Sequence, residues 1–235
     1  MATGQVDATA ATPYPPPTTT PAVWQWRNNL ISKPFSPVGR QVTVQTPPDT
    51  DIWRPARDKH NFTAPFLYTT LPTQKFKSVQ VTVSAPWKTL YDQGGLVLSF
   101  PSLKNENETR FIKAGIEFTD GAPALGVVGT DILSDWSLSP LLEKQTGNAK
   151  ATILIERDGT DAWVYVLEGP QKKRRSLRQV TWAFNKDDVQ GVAPEIEVGI
   201  YGAKPTREPG AGHEKDGIVV SFTGFELNTT DGPVQ

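Results

Sequence analysis

Apolar and polar residues alternate with a period of two along most of this chain, the mark of half-buried β-strands. Residues 77–83 set Val79, Val81 and Val83 on one face. Residues 111–118 repeat the pattern, with Ile112, Ala114, Ile116 and Phe118 turned one way and Lys113, Gly115 and Glu117 the other. The dipeptide Asp120-Gly121 then leads into 124–130, the strongest hairpin signal in the chain. Further strands are predicted over 94–100, 151–156, 162–167, 176–184, 195–201 and 218–225, separated by Asp158-Gly159, Gly169-Pro170 and Gly191. Only 138–145 has room for a helical turn. Many short strands without helical periods predict an all-β fold, a two-sheet sandwich or a barrel.

The length of 235 residues suits a single sandwich domain. We place it over 23–235, after a Pro/Thr/Ala-rich arm over 1–22 that is too poor in apolar surface to offset its ordering entropy. Pro (21) and Gly (19) are abundant enough to punctuate many short elements. The net charge of −1 gives no basic face for a nucleic-acid backbone, so no nucleic-acid partner is expected. With no Cys, disulfides, thiolate metal sites and a cysteine nucleophile are excluded. No apolar leader and no long apolar run occurs, which predicts a cytoplasmic protein without a membrane partner.

Three segments carry a resemblance: Tyr91-Asp92-Gln93-Gly94-Gly95-Leu96, the stretch from Lys113 to Gly121 reading KAGIEFTDG, and Ser134-Asp135-Trp136-Ser137. With Asp51-Ile52-Trp53-Arg54 upstream, and 157–166, 198–203 and 220–225 downstream, they resemble a branch of the concanavalin-A-like lectin/glucanase superfamily. That branch is largely uncharacterised and includes "regulation of enolase" proteins. The likeness spans about residues 50–227 and implies a jelly-roll sandwich of two antiparallel sheets with a concave groove. It implies no catalytic assignment. The N-terminal arm, the loop 105–109 and the basic run 172–175 depart from the pattern.

The superfamily's hydrolases set carboxylates two residues apart on one strand. Here Glu117 and Asp120 are three apart and fall on opposite faces, and Asp120 is better explained by a turn. Glu195 and Glu197 share a face that reads as exposed. Lys113 and Glu117 are more informative, standing together on the polar face of a strand whose other face is apolar. Either that face is a solvated, salt-bridged surface, or it is a groove in which the pair binds a polyol or transfers a proton.

Arg157 on a neighbouring strand, and Asp92 and Gln93 in a loop, are candidate contributors to the same groove. Of seven tryptophans, Trp136 (flanked by Asp135 and Ser137) and Trp53 are the candidates to line it rather than fill the core; Tyr201 and His60 are further candidates. His60 and His213 are too few for a histidine-based zinc site or a triad, and no phosphate loop is present, so no metal or cofactor is expected. The run 172–175 reads as a solvated hairpin tip.

Three functions follow. The first is a lectin-like module binding a glycan or related small molecule, through Trp136, Trp53, Asp92, Gln93, Asp135, Arg157, Tyr201 and His60. The second is a cofactor-independent enzyme using Glu117 and Lys113, either an isomerase or cyclase of a small apolar metabolite or a carbohydrate-active lyase or hydrolase. The third is a regulatory interaction protein. Oligomeric state is not legible in the sequence.

Overall fold

A computed structural model describes residues 22–29, 33–142, 148–185, 193–210, 212 and 216–234. Apart from Ala22, the expected N-terminal arm lies outside the described residues, as does His213. The first strands are β1 (Trp24–Arg27), β2 (Val42–Thr46), β3 (Ile52–Ala56), β4 (Lys59–Phe62), β5 (Phe66–Pro72) and β6 (Phe76–Ser84). The central ones are β7 (Gln93–Phe100), β8 (Arg110–Thr119), β9 (Ala122–Thr130) and β10 (Ser134–Pro140). They are followed by β11 (Lys150–Asp158), β12 (Asp161–Glu168), β13 (Lys173–Val180), β14 (Glu195–Ala203), β15 (Ile218–Thr229) and β16 (Gly232–Pro233).

Two antiparallel sheets stack into a jelly-roll sandwich of the concanavalin-A-like type. The first has the order β1-β5-β14-β7-β8-β9-β10. The second runs β13-β12-β11-β6-β15-β16, with β2 also paired to β15. The alternation seen in the sequence fills the space between them. Leu96 and Leu98 of β7 and Ile112, Ala114 and Ile116 of β8 meet Val79, Val81 and Val83 of β6 and Ile153 and Ile155 of β11 in one core. Burying each of the Val, Leu and Ile side chains contributes roughly 1.5–3 kcal/mol. Asp120 and Gly121 both have positive φ (52° and 75°), as a two-residue hairpin turn between Thr119 and Ala122 requires.

The opposite face of the first sheet departs from the simple alternation. Phe111, Lys113 and Glu117 would be wet on an open sandwich, yet all three are buried. The cause is the β3–β4 hairpin, which lies across this face. Ile52 joins Phe66, Val97, Phe111, Val128 and Tyr201 in a second apolar cluster, with Trp53 and Phe62 packed against it. A two-stranded hairpin is marginal by itself. Arg54 fastens this one, its buried guanidinium donating to the carbonyl oxygens of Asp131 (3.1 Å), Ile132 (3.3 Å) and Thr109.

Several sequence-based expectations are corrected. Residues 138–140 continue β10 against β9 instead of starting a helical turn, and 143–147 lie outside the described residues. Of the basic run only Lys172 sits in a turn. Arg174 and Arg175 belong to β13 and pair with Glu156 and Glu168, both at 2.9 Å. Glu197 is buried and paired with Arg27 at 2.8 Å, not displayed on an exposed face.

Candidate functional site

Where the β3–β4 hairpin stops short of covering the sheet, a cup of about 250 Å³ remains. Its floor is set by register. Lys113 of β8 lies opposite Val97 of β7 and Val128 of β9, and Val128 lies opposite Trp136 of β10. Two residues along, Gly115 lies opposite Gly95 on one side and Gly126 on the other. Two further along, Glu117 lies opposite Gln93. A row of glycines thus crosses three strands between the level of Lys113 and that of Glu117, and no side chain stands in it. The walls rise around this bare strip: Trp53 from the hairpin, Trp136 from the edge strand, Tyr91 and Pro205 from loops.

Gly126 has a further role. A Cβ there would lie 3.0 Å from Glu117 Oε2, 3.3 Å from Glu117 Cβ and 3.6 Å from Trp136 Nε1. Its bare backbone lets the Glu117 carboxyl and the Trp136 indole N–H meet over the sheet.

The polar groups are tied together. Lys113 Nζ donates to Gln93 Oε1 at 2.6 Å and to Asp51 Oδ1 at 3.3 Å, and stands 5.9 Å from the Trp53 ring centroid. The Gln93 amide donates to Asp51 Oδ1 (3.4 Å) and the Tyr91 carbonyl (3.3 Å). Beneath it the Tyr201 hydroxyl donates to Gln93 Oε1 at 3.2 Å. Asp51 Oδ1 also accepts the Ile52 backbone N–H at 2.7 Å, which holds the carboxylate in place.

Glu117 is the perturbed member. Burial pushes its carboxyl up from the ordinary value; Lys113 opposes this, the Asp51 carboxylate adds to it, and the Trp136 N–H bond pulls it back. Burial likewise holds the Tyr201 hydroxyl well above its usual range, reinforced by the charges of Glu117 and Asp51. A buried carboxyl with a raised pKa, close to an ammonium and open to a cavity, is suited to proton transfer as well as to hydrogen bonding.

Lys113, Glu117, Trp136, Trp53 and Gln93 therefore converge on one cup, with Tyr201 supporting it from below. The other sequence candidates do not line it. Asp92 points away, fully buried in an ion pair with Lys204 at 2.9 Å. Asp135 is on the far side of β10, paired with Arg178 at 2.5 Å. Arg157 is in the second sheet, donating to the Thr73 carbonyl at 3.0 Å with its guanidinium 4.5 Å from the Phe184 ring centroid. His60 is in the covering hairpin, its ring near Phe62 and Phe111 and its Nδ1 3.4 Å from Arg54 Nε.

Sequence reasoning passed over Asp51, Tyr91, Val128 and Pro205 as lining residues. For Asp51 a signal existed: it stands two residues before Trp53, the spacing that aims both side chains to one side of an extended segment. Among the described residues no cluster of three or more His, Asp or Glu side chains is placed to hold a metal ion, and no helix is long and apolar enough to cross a membrane.

Comparison with known proteins agrees with this architecture. The model of a family described as "Protein of unknown function (DUF1349)" matches residues 29–230. An uncharacterised protein of Emericella nidulans is 36% identical over 192 residues, covering 81% of this chain and 88% of that protein. "Regulation of enolase protein 1" of Saccharomyces cerevisiae is 32% identical over 214 residues, covering 88% of this chain and 90% of that protein. The crystal structure of a functionally unknown protein from Saccharomyces cerevisiae superposes with a TM-score of 0.64 at 23% identity, over 88% of this chain and 96% of that one. The GH43 BlXynB protein from Bacillus licheniformis shares the fold at 14% identity and a TM-score of 0.55, over 85% of this chain and 35% of that one. The chain belongs to the DUF1349 family and is similar over most of its length to Regulation of enolase protein 1.

Proposed function

We propose that the chain binds a small ring-shaped ligand of mixed polarity, a sugar unit or a metabolite of similar size, in the cup between Trp53, Tyr91 and Trp136. The observation that carries this reading is the union of aromatic walls with a buried polar floor, Lys113 and Glu117 standing on either side of the bare glycine strip. The rings supply apolar area for the C–H face of a sugar, and the Lys113, Glu117 and Asp51 head groups supply donors and acceptors for its hydroxyls. The volume, about 250 Å³, lies below the roughly 300–1,000 Å³ typical of drug-sized sites. A single ring is therefore the matching scale.

Tryptophan fluorescence titrated with a panel of mono- and disaccharides tests the glycan form of this reading. Saturable quenching that disappears in Trp136→Phe supports it. A flat response across the panel removes sugars as the ligand class.

One observation favours a second reading, catalysis in the same cup. Burial holds the Glu117 carboxyl above its ordinary pKa beside an ammonium. Glu117 then takes and returns a proton while Lys113 stabilises charge developing on a ligand oxygen, a scheme that needs no covalent nucleophile. Under this reading Glu117→Gln abolishes turnover and retains binding; loss of binding alone assigns Glu117 to recognition.

A further inference from the structure

We infer that Lys204 is the positioning residue of the cup, a single buried ammonium that holds the loop segments forming its walls. Lys204 has no exposed surface. Its Nζ donates to Asp92 Oδ1 at 2.9 Å and to Glu208 Oε2 at 3.3 Å. Its backbone is engaged as fully: the Lys204 N–H donates to Thr50 Oγ1 at 3.0 Å, and the Thr50 N–H donates to the Lys204 carbonyl at 3.3 Å.

Two of the three partners, Thr50 and Asp92, are sequence neighbours of lining residues, and so is Lys204 itself. Thr50 precedes Asp51, Asp92 lies between Tyr91 and Gln93, and Lys204 itself precedes Pro205. The remaining acceptors tighten the same knot. Asp92 Oδ2 accepts the backbone N–H groups of Lys88 (3.2 Å) and Thr89 (2.9 Å), and Glu208 Oε2 accepts the Thr89 hydroxyl at 2.6 Å.

Two physical arguments give this cluster a role in the site. A buried ion pair is a poor device for stability alone, because desolvation cancels much of its attraction and apolar replacements often serve as well. What it adds is direction, since charged hydrogen bonds fix the angles between the segments they join. Tyr91, moreover, has a φ of +66°, outside the regions favoured by a non-glycine residue. Such a conformation persists where its surroundings over-determine it. Asp92 on one side, and the 2.7 Å bond from the Tyr91 N–H to the Phe118 carbonyl, do so here. The strained backbone aims the Tyr91 ring edge-on at Trp136, 6.2 Å between centroids, and so closes one wall.

This inference rests on the cup being the functional site, but its test requires no ligand. The full chain is labelled with 5-fluorotryptophan and its resonances are assigned by single Trp→Phe changes. Lys204→Met leaves the buried Asp92 carboxylate without its ammonium, although Glu208 keeps that of Lys88 at 3.3 Å, and can unfold the chain, so the neutral pair Lys204→Met/Asp92→Asn is the decisive variant. The expected result is that the Trp53 and Trp136 resonances shift or broaden while those of Trp24 in the core and Trp163 on the second sheet keep their positions. Lys204→Arg, which retains the charge but not the shape, gives a smaller shift of the same two signals.

Unmoved Trp53 and Trp136 signals overturn the inference. Displacement of all resonances together, or failure of the neutral pair to fold, also overturns it by assigning the cluster to the fold as a whole. A silent saccharide panel combined with selective displacement of Trp53 and Trp136 sinks the glycan reading and leaves the role of Lys204 standing.

Discussion

Lys113 Nζ lies 2.6 Å from Gln93 Oε1, and both side chains are buried with the bond already made. The floor of the cup is therefore assembled before any ligand arrives. Under the proposed function, binding would cost no rearrangement of this charged group, the condition under which a polar site gives affinity and selectivity together.

Replacing Lys113 with Met strips Gln93 Oε1 and the Asp51 carboxylate of their shared donor. Gln93 Oε1 keeps the Tyr201 hydroxyl and Asp51 Oδ1 keeps the Ile52 N–H, so the expected cost is that of lost hydrogen bonds from a charged donor, about 1.5–3 kcal/mol. Urea unfolding should show a lower midpoint with an unchanged slope. A midpoint equal to that of the parent would mean that water replaces the ammonium without loss.

The raised pKa of Glu117 fixes the sign of a pH effect. The folded state binds this proton more tightly than the unfolded chain, whose carboxyl titrates near the ordinary 4.5. The stability contributed by the protonated carboxyl is fully present below that value and is lost as pH rises through the folded pKa. Glu117→Gln cannot ionise and escapes the loss. Measured against the parent across pH 4–8, the variant should gain relative stability as pH rises and then level off. A difference independent of pH rejects the assignment.

Two tryptophans separate site from core. Trp136 is 36% exposed on an edge strand, whereas Trp87 is 3% exposed and donates its indole N–H to the Ala149 carbonyl at 2.8 Å. Trp136→Ala should cost about 1–2 kcal/mol, in keeping with its partial burial. Trp87→Ala should cost roughly 3–5 kcal/mol, as large core deletions do. Thermal unfolding of the two variants side by side gives the comparison, and equal losses would make Trp136 a structural residue.

Gly126→Ala places a methyl group 3.0 Å from Glu117 Oε2. The carboxyl is the end of a flexible side chain and can give way, so the stability cost should stay at about 1 kcal/mol. The bond to the Trp136 indole should be lost with it. The Trp136 emission maximum, which should follow Glu117 titration in the parent, should become insensitive to pH in this range. Retained sensitivity would show that the carboxyl keeps its place beside the added methyl.

The period of two made the face shared by Lys113 and Glu117 legible, because side-chain direction on a strand is a local property. The same rule shows why two other expectations failed. Asp92 adjoins Gln93, and Asp135 adjoins Trp136; consecutive residues of an extended chain point apart, so only one of each pair reaches the cup. Arg157 was misplaced for a different reason. Which sheet a strand joins depends on long-range pairing, and β11 pairs with β6 and β12 instead of with the β7–β8 floor. The covering hairpin was hidden because Pro55 and a register irregularity between Trp53 and Ala56 break its alternation. Gly95, Gly115 and Gly126 are visible one by one in the sequence; their line across three strands exists only once register is known.

The β3–β4 hairpin also decides what kind of molecule can approach. By filling the middle of the sheet with Ile52, Phe62 and their neighbours, it occupies part of the face that an uncovered sandwich would offer as a trough from one edge to the other. A polymer laid across all the strands would meet these side chains. Under the proposed function, a free molecule of single-ring size, or the terminal unit of a longer one, is what the uncovered cup suits.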